Sequence, residues 1–378
     1  MKTLINGRIV TDGEILDGYD IITDNGKITA VHPHGEVLGE VIDLGGNYIS
    51  AGFIDIHCHG GGGAEFIDAA TEAFETAAAV HAKHGTRVLY PTVSATDFDT
   101  MVQALECFRK VKNSCALEMP GIHLEGPYLA LEMCGGQAPE IIRPIDREEY
   151  TFILEHYGDL IARWSYAPEK DPNNEFAKAL KAHGIVSATA HSSAEYDDIC
   201  RALSDGNRLV THLYSCTSTV TRHQGFRHLG IIESAYLLDD LYVETIADGR
   251  HLPPELLKMI VKIKGADRVC MITDALRPGG AGPEQEGQAY TDCPVPFVIE
   301  DGVAKLLDRS AFAGSIATTD ILLKTAVNAG ITLPDAVKML TETPAEVMNL
   351  PGKGRIAPGF DAQFTVFDEA YHIIETDI

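Results

Sequence analysis

Eight short apolar runs recur along the middle of the chain: Tyr48–Ile54, Thr86–Tyr90, Glu118–His123, Ile161–Tyr166, Ile185–Thr189, Arg208–Val210, Leu241–Ile246 and Arg268–Ile272. Helical stretches lie between or after them. In Asp97–Ser114 the residues Met101, Leu105, Phe108 and Val111 mark one apolar face, and Glu175–His183, Pro254–Lys264 and Thr318–Ala329 follow. Strand followed by helix, repeated eight times, predicts an α/β fold: a (β/α)8 TIM-like barrel, in which helices supply the crossovers that parallel strands require. The ~300 residues available between Ser50 and Pro351 exceed the ~250 typical of such a barrel, which leaves room for insertions. A doubly wound open sheet is the alternative, but no GxGxxG follows an early strand. The segment Pro278–Pro296, rich in Gly and Pro, reads as an insertion, either a lid or a surface loop.

The two ends of the chain follow another pattern. Residues 1–49 alternate β-like runs (Thr3–Ile5, Arg8–Val10, Asp20–Thr23, Ile28–Val31) with the turn signals Asp12-Gly13 and Asp24-Asn25-Gly26. Residues 352–378 are turn-rich from Lys353 to Gly359, and a strand follows at Gln363–Phe367. These ends are expected to form one small β-sandwich domain (1–49 plus 352–378) beside a barrel spanning 50–351.

Charge limits the partners. Lys and Arg number 30 against 55 Asp and Glu, a net charge of −25, which repels nucleic acid and anionic membranes. Neither is an expected partner, and an anionic substrate would need a local basic pocket. No apolar run reaches the ~18 residues of a membrane helix, and Met1–Val10 lacks the features of a signal peptide. The 8 cysteines stand singly without a CxxC pair, as suits a reducing compartment, so a cytoplasmic protein is expected.

The unusual polar residues gather at strand ends, where a barrel carries its chemistry. Asp55-Ile56-His57-Cys58-His59 closes the first run, and strand alternation points both imidazoles to one side as a possible metal pair, or as two surface histidines. The third run ends in His123-Leu124-Glu125-Gly126-Pro127, the fifth in Thr189-Ala190-His191-Ser192, the sixth in Thr211-His212-Leu213-Tyr214, and the eighth in Ile272-Thr273-Asp274-Ala275. A buried carboxylate is costly unless it is paired or metal-bound. Glu125 with the neutral imidazoles of His191 and His212 suits a catalytic Zn²⁺ or Fe²⁺, and Asp274 beside them suits a general base.

In this order and spacing, these segments resemble the amidohydrolase superfamily and, within it, the deacetylases of N-acetyl amino sugar phosphates. Ala51-Gly52-Phe53-Ile54-Asp55, Gly121 through Tyr128, Ile246-Ala247-Asp248-Gly249-Arg250-His251, Ala313-Gly314-Ser315 and Gly354 through Ala362 extend the likeness over nearly the whole chain. The resemblance implies that Glu125, His191 and His212 hold the main divalent metal, Zn²⁺ first. It also implies that Asp274 is the general base and acid, and that His251 contacts the sugar. The pair His57 and His59 matches members that keep a second metal, so one or two ions per subunit are implied. Many superfamily members bridge two metals with a carboxylated Lys after strand four; Trp164-Ser165-Tyr166-Ala167-Pro168 has none.

Two departures stand out. Gln137, within Cys134-Gly135-Gly136-Gln137-Ala138-Pro139, falls where these deacetylases carry a His that helps polarise the acetyl carbonyl. Ser215-Cys216-Thr217 replaces the family's Asn-Ala-Met, placing Ser215 and Cys216 among the expected substrate contacts. The family's phosphate-binding Arg has its nearest counterparts in Arg222 and Arg227, inside the basic run Arg222-His223-Gln224-Gly225-Phe226-Arg227-His228. That run is either a phosphate site or a solvated or dimer-contact loop. In the family it reaches the neighbouring subunit's site, which implies a homodimer. The expected reaction is hydrolysis of the acetamide of N-acetylglucosamine 6-phosphate. The alternatives are hydrolysis of another N-acyl sugar or cyclic amide, or a catalytically silent sugar-phosphate-binding scaffold.

Overall fold

The computed structural model describes residues 1–374; the last four residues of the expected 352–378 segment lie outside the described residues. Its centre is an eight-stranded parallel sheet whose order in space follows the order in sequence. The strands are β1 (Phe53–Cys58), β2 (Thr86–Val93), β3 (Ile122–Glu125), β4 (Ile161–Tyr166), β5 (Val186–Thr189), β6 (Leu209–Val210), β7 (Tyr242–Ile246) and β8 (Val269–Ile272). The first and last strands meet just past β8, where the Asp274 N–H donates to the His57 carbonyl at 2.9 Å and the Thr273 hydroxyl donates to Asp55 at 2.5 Å. The sheet is therefore a nearly closed barrel.

Helices pack around it by the expected periodicity. Phe98–Val111 begins where Asp97 caps the Thr100 N–H at 2.9 Å, and it buries Met101, Ala104, Leu105, Phe108 and Val111 against the barrel wall. Trp164 and Tyr128 stack in the same layer and Cys58 is buried there, consistent with packing roles for all three.

The run Tyr48–Ile54 is two strands rather than one. Tyr48–Ala51 pairs with the N-terminal strand Lys2–Thr11, and β1 starts at Phe53. The chain divides at Gly52, where a Cβ would lie 2.5 Å from Cγ of Arg87, so only a glycine passes between the two sheets. The third run likewise moves, from Glu118–His123 to Ile122–Glu125. Pro120 lacks an N–H for the ladder, and Gly121 sits against Ala162, where a Cβ would lie 2.8 Å from the alanine methyl. Glu125 is thus the terminal residue of β3.

Both chain ends contribute to one six-stranded sheet, with Phe364–Phe367 antiparallel to Tyr48–Ala51. Leu4, Ile9, Ile21, Ile28, Ile49 and Val366 form its separate core. Of the expected insertion Pro278–Pro296, Ala289–Tyr290 is a strand, and it joins Phe297–Glu300, Val303–Leu306 and Phe312–Gly314, beyond the expected bounds, in a four-stranded antiparallel sheet. Among the described residues, no helix is long and apolar enough to cross a membrane.

Candidate metal centre and substrate cavity

His191, His212 and Asp274 share one local geometry. Each lies two residues past the end of its strand, and each has a left-handed backbone, with φ of 43°, 28° and 48°. Non-glycine residues adopt this region at a cost, so the surroundings must hold them there, and such strain gathers at functional sites. The effect is to turn His191 and His212 onto the Glu125 carboxylate and Asp274 onto His57 and His59.

Glu125 is 1% exposed and has four imidazoles around it. Its Oε1 lies 3.3 Å from Nε2 of His191, 3.0 Å from Nε2 of His212 and 3.6 Å from Nε2 of His57, and its Oε2 lies 3.3 Å from Nε2 of His59. The Nδ1–H of His191 donates to the Met133 carbonyl at 2.8 Å, and that of His212 to the Ser215 carbonyl at 3.0 Å. A neutral imidazole that spends its single N–H in this way turns a lone pair on Nε2 toward the carboxylate. Lone pairs facing a carboxylate at 3.0 to 3.3 Å need a positive charge among them, and a divalent cation fits that need.

Titration registers the same unmet negative charge. Burial alone would lower His57 and His59, yet Glu125 and Asp274 outweigh it and raise them to about 9 and about 10. Burial would raise Glu125 and Asp274, but neighbouring imidazoles pull both below the ordinary carboxylate range, which keeps Asp274 an ionised acceptor. His57 and His59 face one another through Nε2 at 3.2 Å, and Oδ1 of Asp274 lies 3.3 and 3.2 Å from those same atoms. The structure thus brings two candidate ligand groups around Glu125: His191 with His212, and His57 with His59.

Beside this centre is a cavity of about 310 Å³. His251, Gln137, Ser215 and Cys216 line it with the ligands, and Phe312, Ala313 and Gly314 of the inserted sheet form the opposite wall. The carboxylate of Asp248 holds His251 by accepting from Nδ1–H at 2.8 Å, which leaves Nε2 as an acceptor for a hydroxyl. Gln137 has a defined orientation: the Ala95 N–H donates to its Oε1 at 2.9 Å, so its amide NH₂ faces Glu125 and donates to Oε2 at 2.7 Å. Glycine at 135 leaves the space that Cys216 fills, since a Cβ there would lie 2.3 Å from the sulfur.

Arg222 and Arg227 are not part of this cavity lining. They oppose each other on an exposed hairpin, Thr221–His223 with Phe226–His228, whose two histidines pair with Glu195. Neither arginine makes an ion pair among the described residues, and Phe226 beside them is 75% exposed.

Two buried charges escaped the sequence reading. Arg163 on β4 and Glu244 on β7, both 0% exposed, form an ion pair within the barrel. The available signal was a charge inside each apolar run, Ile161–Tyr166 and Leu241–Ile246.

A (β/α)8 barrel with a Glu–His–His centre and an acid just past β8 defines a class of metal-dependent hydrolases. The chain belongs to the amidohydrolase family, which matches residues 48–378. It is 30% identical over 377 residues to an N-acetylglucosamine-6-phosphate deacetylase of Haemophilus influenzae, covering 99% of this chain and 97% of that one. It is 28% identical over 382 residues to an N-acetylgalactosamine-6-phosphate deacetylase of a Shewanella strain, covering 97% and 92%. Among solved structures, the N-acetylglucosamine-6-phosphate deacetylase of Pasteurella multocida superposes with a TM-score of 0.91 at 28% identity, covering 100% of this chain and 98% of that one.

Proposed function

We propose that this protein is a deacetylase that hydrolyses the acetamide of N-acetylglucosamine 6-phosphate to glucosamine 6-phosphate and acetate. The observation that carries this reading is the junction of the Glu125–His191–His212 cluster and Asp274 with a sugar-sized cavity bearing His251. A divalent cation held by Glu125, His191 and His212, Zn²⁺ first and Fe²⁺ second, would supply a Lewis acid for the acetyl carbonyl and acidify an attacking water. His57 and His59 are the ligands available to a second ion.

The protein's own groups do the rest. Asp274, held ionised by the neighbouring imidazoles, accepts the water's proton and returns it to the departing amine nitrogen. Gln137 keeps one amide N–H on Glu125 and has a second to offer the carbonyl oxygen as negative charge grows there. His251 accepts from a sugar hydroxyl, while Ser215 and Cys216 shape the cavity beside it.

The 6-phosphate is assigned to Arg222 and Arg227. Two exposed guanidinium groups without an ion-pair partner among the described residues, beside an exposed Phe226, support a hairpin that reaches the cavity of a second subunit, and hence a homodimer. The enzyme is placed in the cytoplasm, with no nucleic acid or membrane as partner; its net charge of −25 supports the latter. Binding shared by ground and transition states sets KM, so Arg222→Ala or Arg227→Ala is expected to raise KM for the phosphorylated sugar and barely change the rate on its unphosphorylated analogue. If neither variant discriminates, the hairpin is not the phosphate site.

The galacto epimer is the competing substrate, since relatives named for each hexosamine match this chain. Acetate release is to be measured on the gluco and galacto sugars, each with and without 6-phosphate. The highest kcat/KM is expected on the phosphorylated gluco sugar. A higher value on any other member of the panel renames the substrate.

A further inference from the structure

Glu244 connects the two candidate ligand groups without lining the cavity. One of its oxygens pairs with Arg163. The other accepts from Nδ1–H of His57 at 3.1 Å and from the backbone N–H of His212 at 3.2 Å. One fully buried carboxylate therefore fixes a ring from the first ligand group and a backbone from the second. Arg163 is fixed in turn, donating to the Thr211 hydroxyl at 2.7 Å, the Ser165 hydroxyl at 3.3 Å and the Ile56 carbonyl at 3.3 Å. Thr211 immediately precedes His212, and Ile56 precedes His57, so the guanidinium braces the same two segments.

From this arrangement we infer that the buried Arg163–Glu244 pair is a positioning device that selects the tautomer of His57 and so prepares its Nε2 to bind the second metal ion. The inference rests on the metal reading of the site. An imidazole accepts a metal only on its unprotonated nitrogen, and a carboxylate on Nδ1 holds the proton there. Arg163 has the complementary task, since a buried carboxylate without a cation would be protonated or displaced. Glutamine at 244 cannot serve both neighbours. With its oxygen toward Arg163, its NH₂ faces Nδ1 and drives the His57 proton to Nε2; with the amide reversed, NH₂ meets the guanidinium.

The test uses the full-length protein loaded with Zn²⁺. Chelator competition gives the two dissociation constants, and nitrogen-15 NMR of labelled histidines reports the His57 tautomer. Glu244→Gln is expected to weaken the His57–His59 ion by roughly 10- to 100-fold, the range for lost outer partners of metal ligands, and to move the His57 proton from Nδ1 to Nε2. Because this variant leaves Arg163 buried and unpaired, Arg163→Met with Glu244→Met is the second variant. It removes both charges at similar volume together with the acceptor on Nδ1, and is expected to fold while weakening the His57–His59 ion and losing the preference for Nδ1–H. If the folded double variant keeps a wild-type second dissociation constant and an Nδ1–H His57, the inference is overturned while the metal reading stands. If wild-type protein holds no metal, the reading itself fails and the inference with it. If wild-type protein holds only one, the inference alone falls.

Discussion

Replacing His191 with Ala is expected to empty the main metal site and to lower acetate release by at least roughly 10³-fold. The size follows from the several kcal/mol that Lewis-acid stabilisation supplies at such centres, with each 1.36 kcal/mol worth tenfold in rate. The imidazole's Nδ1–H is committed to the Met133 carbonyl and its Nε2 stands 3.3 Å from Glu125, so alanine removes the proposed ligand together with the edge contact its ring makes with His212. Elemental analysis of the purified variant, beside circular dichroism to verify the fold, makes the measurement. Metal retained at the wild-type ratio would sink the ligand assignment.

Asp274→Asn should separate proton transfer from metal binding. Asparagine keeps the shape and the left-handed turn at φ 48°, a conformation that Asn tolerates well, but it cannot accept the water's proton. The expected result is a kcat lower by about 10²- to 10⁴-fold, with the ion on Glu125, His191 and His212 still in place. Oδ1 of Asp274 lies beside Nε2 of both His57 and His59, so any ion lost is expected to be the one held by that pair. A variant within tenfold of wild type would refute the general-base role.

Much of this centre was legible before any coordinates. Glu125, His191, His212 and Asp274 each end an apolar run, and a polar group placed there by strand periodicity has few bland explanations when it recurs on four strands. His57 and His59 were legible for the same reason. Other features were not. Sequence could name Gln137 but not its orientation, which depends on an N–H from Ala95, 42 positions away. The aromatic wall at Phe312 lies on a strand of a small antiparallel sheet that extends well past the expected insertion, Pro278–Pro296. The basic hairpin was legible as a cluster of charge, whereas its place outside the cavity lining of its own chain was not.

The sequence by itself determined the alternation of strand and helix and the residue types at the strand ends, because these follow from local periodicity and from where each apolar run stops. Tertiary structure alone decided which of these groups meet. Glu244 and Arg163 come together across 81 positions, and whether a buried charge is a defect or a brace depends on the partner that barrel closure sets opposite it. The break at Gly52 has the same origin: it is imposed by Arg87 on the neighbouring strand, a steric contact with no trace in the local pattern.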